Sequence, residues 1–219
     1  MKKKVIILGG SGIGMLAASI IERTGIADVI GFLNDVLPLG TDIGKYKKIS
    51  VVGCTSDVFT FLEDDNCFVF IAYLGMTQEK ATYEKISALQ IPQERFLNII
   101  DPSSIIPYEY CQIGRGVLFA PLSQLSPDVT ISNNCILLGN SFVGHDSYLD
   151  NFAHIATNAV VGANVHVGKA VHIGSNATIR EKVRIGDYSL IGAGAVVIND
   201  VPDNSIVVGN PARILKLKS

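Results

Sequence analysis

From Ile113 onward every sixth residue is Ile, Val, Leu or Phe: Ile113, Phe119, Leu125, Ile131, Leu137, Val143, Leu149, Ile155, Val161, Val167, Ile173, Ile179, Ile185, Ile191 and Val197. These four residue types make up about a third of the chain, so fifteen successive matches would arise by chance roughly once in ten million trials. Two positions before each sits a small or slim residue, such as Ser123, Cys135, Ser147, Ala159 or Ala177. Residues i and i−2 of a strand share a face, so both point to one interior. Glycine often follows the aliphatic, as at Gly144, Gly162 and Gly174, and is expected there to free the backbone to turn a corner. Three such units close a triangular coil, and stacked coils pair their backbones and share one apolar column although no coil could fold alone. Fifteen units predict five coils, about 24 Å tall at ~4.8 Å per layer. Ordinary hairpins would instead show turn pairs every eight to twelve residues or so.

The first half has a different rhythm. Lys4 to Leu8 reads as a buried strand, Met15 to Arg23 as a helix, Val29 to Leu33 as a second strand and Cys67 to Ala72 as a third. Thr77 to Leu89 has helical spacing, and Phe96 to Ile100 reads as a closing strand. Alternating strands and helices predict a Rossmann-like α/β domain with a parallel sheet whose ligands bind at the carboxyl edge. The expected division is an α/β domain over residues 1–104 and an all-β coil domain over 105–219.

Charge narrows the partners. Eighteen Lys and Arg against 20 Asp and Glu leave a net charge of −2, with a pI near 6.1, which argues against nucleic acid and anionic membranes. The apolar stretch behind Lys2–Lys4 is four residues long, so no signal peptide is expected. No apolar run approaches the ~20 residues of a membrane span. Cys54, Cys67, Cys111 and Cys135 form no C-x-x-C pair, and reduced thiols in a cytoplasmic protein are expected.

Candidate chemistry falls in both halves. The turn Gly9-Gly10-Ser11-Gly12-Ile13-Gly14 follows a strand and opens a helix, where backbone N–H groups and the helix dipole receive a phosphate. A dinucleotide fingerprint starting at Gly10 would need glycine where Met15 stands. The phosphate or diphosphate of another nucleotide is therefore favoured over NAD, with a purely structural turn as the alternative. Asn34 and Asp35 sit where a ribose or base would lie; a solvated turn is the plainer reading. His154, His166 and His172 each precede a core aliphatic and are expected to point outward from a flat face. With His145, their separations of 9, 12 and 6 residues do not make a convergent zinc set, and no metal is expected.

The unbroken [Ile/Val/Leu]-Gly-x-x-x-x array, ending in Val208-Gly-Asn-Pro-Ala-Arg-Ile214, resembles the hexapeptide-repeat acyltransferases. The first half, with its G-x-S-G-x-G turn and Asn34-Asp35 after the second strand, is similar to the PglD and NeuD type. Where that type carries Ala-Ile-Gly-Asn or Ala-Ile-Gly-Asp after the third strand, this chain has Ala72-Tyr-Leu-Gly75. The resemblance implies a left-handed β-helix, a homotrimer, and acetyl-CoA bound between neighbouring helices. It also implies a nucleotide-linked amino sugar as acceptor, held by Gly9, Ser11, Gly12, Gly14, Asn34 and Asp35.

The resemblance further implies that His145, followed by Asp146, is the general base. That suits the chemistry: an amine attacking a thioester must lose a proton, and imidazole titrates near neutral pH. Asp146 would orient the ring; a surface histidine without a role is the alternative. His154 matches a family histidine at the acetyl-CoA end of the site. Gly162 and Ala163 fall one coil above His145, where the Ala163 N–H is expected to meet the thioester oxygen. Thr157, Ser175 and Ala193 form a column expected to rail the pantetheine arm. Together these imply an acetyl-CoA-dependent N-acetyltransferase of surface-glycan synthesis acting on a 4-amino sugar. The rivals are a sialic-acid-type O-acetyltransferase and a non-catalytic nucleotide-sugar-binding protein.

Overall fold

The apolar run Val5–Leu8 forms, with Lys4, a strand whose four aliphatics are fully buried, β1 (Lys4–Leu8). In the computed structural model, which describes residues 2–73 and 79–218, this strand is the centre of the first of two compact units. Helix α1 (Ile13–Thr24) buries Gly14, Ala17, Ala18 and Ile21, spaced as one helical face requires, and ends at Gly25 in the left-handed region (φ 68°). The strands that follow are β2 (Asp28–Leu33), β3 (Asp42–Ile43) and β4 (Ile49–Gly53); then come helix α2 (Val58–Leu62) and β5 (Cys67–Ile71). The sheet order is β3-β4-β2-β1-β5, parallel except for the β3–β4 pair.

Three details differ from the sequence reading. Strand β4 and helix α2 were not anticipated, because Ile49–Gly53 follows a lysine-rich stretch that hides its short apolar run. The expected closing strand does not form in this sheet: only Ile99–Ile100 of it is a strand, β6, which is not a member of the sheet, and Phe96 makes an isolated bridge to Val69. The second expected helix is present as α3 (Glu79–Ala88); its expected start at Thr77, and Gly75 of the Ala72–Gly75 stretch, lie outside the described residues.

The second unit is the coil domain. Each six-residue period forms one two-residue strand, giving fifteen from β7 (Gln112–Ile113) to β21 (Val196–Val197), every one ending on the expected aliphatic. Fourteen of the fifteen aliphatics are buried, and so are the slim residues two positions before them. The strands stack into a left-handed parallel β-helix of five coils with three faces. Face 1 holds β7, β10, β13, β16 and β19; face 2 holds β8, β11, β14, β17 and β20; face 3 holds β9, β12, β15, β18 and β21. The chain closes with β22 (Ser205–Gly209) and β23 (Ala212–Leu217), an antiparallel pair continuing face 2.

The corner glycines play a different part from the one expected. Left-handed backbone falls three residues after the core aliphatic, chiefly on asparagine: Asn134, Asn140, Asn158, Asn164 and Asn176 have φ of 56–59°. Asparagine tolerates that region through its local hydrogen bonding. The glycine directly after the aliphatic is needed for coil approach instead. A Cβ on Gly144 would lie 2.7 Å from Ala163 N, and one on Gly162 2.7 Å from Glu181 N, closer than carbon and nitrogen can pack. Inward serines suit the corners because they bond backbone across coils, as Ser147 Oγ does in donating to Gly162 O at 2.9 Å.

Candidate active site

His145 and Asp146 occupy the corner between β12 and β13, on the edge where face 3 turns into face 1. The buried Val143 and Ser147 on either side anchor the corner and leave both side chains at the surface, 59% and 53% exposed. His145 Nδ1 lies 2.6 Å from Asp146 Oδ2. A carboxylate offers only acceptors, so Nδ1 carries the proton and Nε2 keeps its lone pair for an incoming N–H. Asn164 N donates to His145 O at 2.8 Å, which puts Gly162 and Ala163 one coil above, as the repeat requires.

The corner amides distinguish this edge from the one where face 1 turns into face 2. On that edge most of the equivalent amides are capped by a side chain of the next coil, Asn151 N donating to Asp150 Oδ1 of its own coil instead. Arg115 N donates to Asn133 Oδ1, Asn133 N to Asn151 Oδ1, and Lys169 N to Asp187 Oδ1. On the His145 edge the residue in the capping place above His145 is Ala163, whose methyl accepts nothing. Gly144 likewise puts no side chain beside the Ala163 amide. The His145 amide is thus left without a cap from the next coil, while the capping place above the Ala163 amide holds Glu181; backbone N–H groups beside a base are the donor type that stabilises an oxyanion.

The remaining residues of the expected acetyl-CoA set lie elsewhere on the prism. Ser175 and Ala193, with Thr157, occupy the corner between faces 2 and 3, and the carbonyls of Thr157 and Ser175 join the ladder by accepting from Asn176 N and Gly194 N. Face 3 separates this edge from that of His145. It exposes a mixed surface with Phe142, Val160 (37% exposed) and Thr178 along it.

His154 is on β14, in face 2, opposite the His145 edge. It points away from the core, as does His172 in the next coil, whose ring meets it edge-to-face with centroids 4.5 Å apart, yet both are buried, at 6% and 8% exposure. An open flat face was expected from sequence; here it is covered. Among the described residues, neither nitrogen of His154 has a hydrogen-bond partner. Burial, with the neighbouring His172, pushes the His154 pKa down to about 3, so the ring is neutral. His166, on face 1, stacks on Tyr148 at 5.0 Å and is half-buried.

In the first unit the glycine turn is shaped as the sequence requires. Gly9 (φ 96°) and Gly12 (φ 52°) take backbone conformations closed to most residues, and a side chain on Gly14 would press on Gly9 O. Helix α1 begins with no side-chain cap and no acid in its first turn, and Ser11 and Gly12 are exposed. Gly14 N donates to Ser11 O, and no side chain of the turn competes with an anion for the other first amides.

Asn34 and Asp35 are more occupied than a ligand-facing pair need be. Asn34 Oδ1 accepts from Val36 N and Leu37 N, at 2.9 and 2.8 Å, and shapes its own loop. Asp35 accepts from Thr55 N and Thr55 Oγ1, both at 2.7 Å, and from Lys85 Nζ at 2.5 Å. Burial works to raise the Asp35 pKa, but the bonds from Lys85 and Thr55 outweigh it and hold the carboxyl below its usual value. Beside the pair opens a cavity of about 440 Å³ lined by Asn34, Asp35, Leu37, Val52, Cys54 and Asp57, among others. Thr55, Asp57, Tyr73 and Lys85 were missed from sequence: the first two follow the unanticipated β4, and the others carry no spacing signal.

Residues 164–199 match the family described as bacterial transferase hexapeptide (six repeats), and residues 4–79 match the PglD N-terminal domain. Among solved structures, the chain is similar to the acetyltransferase domain of PglB from Neisseria gonorrhoeae FA1090. That match has 26% identity and a TM-score of 0.82, and covers 97% of this chain and 100% of that one; the same domain has been solved with acetyl coenzyme A. A mutant of perosamine N-acetyltransferase from Caulobacter crescentus, in complex with CoA and GDP-perosamine, matches with 22% identity, a TM-score of 0.83 and 97% coverage of both chains. WeeI from Acinetobacter baumannii AYE matches with 24% identity and a TM-score of 0.78 over 97% of this chain and 100% of that one. The last two likenesses speak for the fold. No curated protein matches the chain.

Proposed function

Because the chain is a hexapeptide-repeat acyltransferase of the PglD/NeuD type, we propose that it moves an acetyl group from acetyl-CoA to the amino group of a nucleotide-linked amino sugar. The acceptor is a 4-amino-4,6-dideoxy sugar of surface-glycan synthesis, and the reaction is cytoplasmic. The observation that carries this reading is the His145 corner: a base oriented by Asp146, with the Ala163 amide one coil above it beside Gly144.

In the proposed reaction the amine nitrogen attacks the thioester carbonyl carbon and forms the C–N bond. His145 Nε2 takes the proton leaving nitrogen, Asp146 stabilises the imidazolium, and the Ala163 N–H donates to the carbonyl oxygen as it gains charge. The C–S bond then breaks and the CoA sulfur leaves with the proton that imidazolium returns. Holding both substrates together supplies a large share of the acceleration by making the encounter intramolecular.

Support for a homotrimer comes from the division of the acetyl-CoA set between two edges that flank face 3. A threefold assembly would set the His145 edge of one subunit against the Ser175–Ala193 edge of the next, with the pantetheine arm between them. His154, buried with both nitrogens unpartnered among the described residues, suits a group that gains its partner from a ligand. The first unit would hold the nucleotide at the glycine turn and the cavity beside Asn34 and Asp35.

The test is a panel of UDP-, dTDP- and GDP-linked amino sugars with acetyl-CoA, following thiol release and locating the acetyl group by mass spectrometry. Transfer to the amine of one of them is expected. Transfer only to a hydroxyl would replace the acceptor with an O-acetylated sugar, and binding without turnover on any member would make the protein a nucleotide-sugar binder.

A further inference from the structure

Strand β1, which carries the glycine turn, stands between β2 and β5 in the sheet. Residues after β5 that bond residues after β2 therefore bridge the carboxyl end of β1. Two do so. Tyr73 lies with its ring 3.4 Å from where a side chain on Gly9 would begin, and its hydroxyl donates to Leu33 O at 3.2 Å. Lys85, from α3, reaches Asp35 Oδ2. The groups form one cluster: Lys85 Nζ and Thr55 Oγ1 donate to Asp35, the Tyr73 hydroxyl and Gly9 N donate to Leu33 O, and Thr55 Oγ1 lies 3.2 Å from the Tyr73 hydroxyl.

The charges at this end of the sheet are unfavourable to the proposed ligand without that lysine. Asp35 and Asp57 both line the cavity, and both are held below the usual carboxylate value, Asp57 by bonds from Cys54 and Asp35 by its bonds from Lys85 and Thr55 against its burial. A nucleotide diphosphate sugar brings two further negative charges. Lys85 is kept protonated by its bond to Asp35, and Tyr73 and Cys54 lie within its electrostatic reach.

We propose that Lys85 is a diphosphate-binding residue of the nucleotide site, exchanging Asp35 for the ligand's phosphates when the nucleotide sugar enters over the glycine turn. This rests on the reading of the first unit as a nucleotide-sugar site. The exchange is easy for three reasons. The Lys85 side chain is 56% exposed, and an exposed ion pair contributes little stability. Asp35 keeps both bonds from Thr55 when the ammonium leaves. A four-carbon stem lets the amine swing without moving the helix.

The test is titration of the full-length protein with UDP, dTDP and GDP, and with the monophosphate of whichever nucleotide the wild type binds. Lys85→Met is expected to weaken the diphosphate by about tenfold or more, the effect of one charge-assisted contact, and the monophosphate distinctly less. Lys85→Arg should restore most of the difference, and acetyl-CoA affinity should stay unchanged throughout. Equal losses for diphosphate and monophosphate would make Lys85 a brace for Asp35 and overturn the proposal, as would wild-type affinity in Lys85→Met. A wild type that binds none of the three would remove the nucleotide reading of the first unit itself, and this inference with it.

Discussion

Asp146 Oδ2 meets His145 Nδ1 at 2.6 Å from a left-handed backbone position, φ 58°, that the repeat fills with asparagine in coil after coil. The pair therefore uses a corner the fold already supplies, and it needs no strained geometry of its own. His145→Ala should remove the base and leave the corner intact. We expect turnover to fall by about a hundredfold or more, with acetyl-CoA affinity within a few-fold of wild type and the thermal midpoint unchanged. Thiol release and calorimetric titration check this, and near-normal turnover would remove His145 from the mechanism.

Asp146→Asn is a clean test of orientation because asparagine is the residue the same corner position takes at Asn158 and Asn164. The substitution should fold normally. It exchanges a charged acceptor at Nδ1 for a neutral one, so kcat should drop on the order of tenfold, the equivalent of roughly 1.4 kcal/mol, with KM for acetyl-CoA unmoved. A KM effect with constant kcat would make Asp146 a binding residue instead.

The β-helix was legible because its core is one-dimensional: a single aliphatic every six residues fixes strand, face and layer together, from Ile113 to Val197. The positions of His145 and Ala163 in successive coils followed from the same arithmetic. What the period does not encode is which faces are covered, so burial of His154 and His172 was unreadable, as was the use of Gly144 and Gly162 for close approach. In the first unit Leu8 and Leu33 announced their strands, but Thr55, Tyr73 and Lys85 come together only through the sheet order, which no local spacing shows.

The approach of the coils makes a sharp contrast between two glycines. Gly162→Ala would drive a Cβ to 2.7 Å from Glu181 N and 2.9 Å from Ile179 O, both backbone atoms that cannot swing aside. A loss of roughly 1–3 kcal/mol is expected, visible as a lower thermal midpoint. Gly194 (φ 68°) meets nothing within 4 Å, so Gly194→Asn should keep the midpoint near that of wild type. Equal effects at both sites would show that the backbone separation between coils is not what selects glycine.

Two buried histidines make stability depend on acid. In the unfolded chain both bind a proton near pH 6.5. In the fold, burial and then His172 hold His154 unprotonated to about pH 3, and burial with Lys218 holds His172 to about pH 4. Between those values the unfolded state binds more protons, so the contribution is complete above pH 6.5 and is lost as pH falls toward 4 and then 3. Each ring can add up to ~1.4 kcal/mol per pH unit to the slope. Denaturant melts from pH 7.5 to 4.5 should show this fall, and His154→Leu should flatten it by about half. An unchanged slope in that variant would mean the ring is protonated within the fold.

The β-helix should stand alone, provided its first rung is kept. Its apolar core runs from Val117 to Val207 as one cluster, and coils need only their neighbours. The start of the fragment matters, because the first full coil is closed from below by residues before 105. Asp101 is buried, with Oδ1 accepting from Ser103 N and Ser103 Oγ, and Asp101 N donates to Phe119 O. Ile105 N donates to Ser123 O, and Leu125 N to Ile105 O. A fragment beginning at Ile100 keeps these bonds; one beginning at Ser104 loses the Asp101 cap and should be less stable. The longer fragment is expected to sediment as a trimer and to bind acetyl-CoA, with no measurable affinity for UDP, dTDP or GDP. Sedimentation velocity and separate titrations with each ligand decide the matter. A fragment that is folded but monomeric would sink the edge-to-edge trimer, and one that binds the nucleotide tightly would move the nucleotide site out of the first unit.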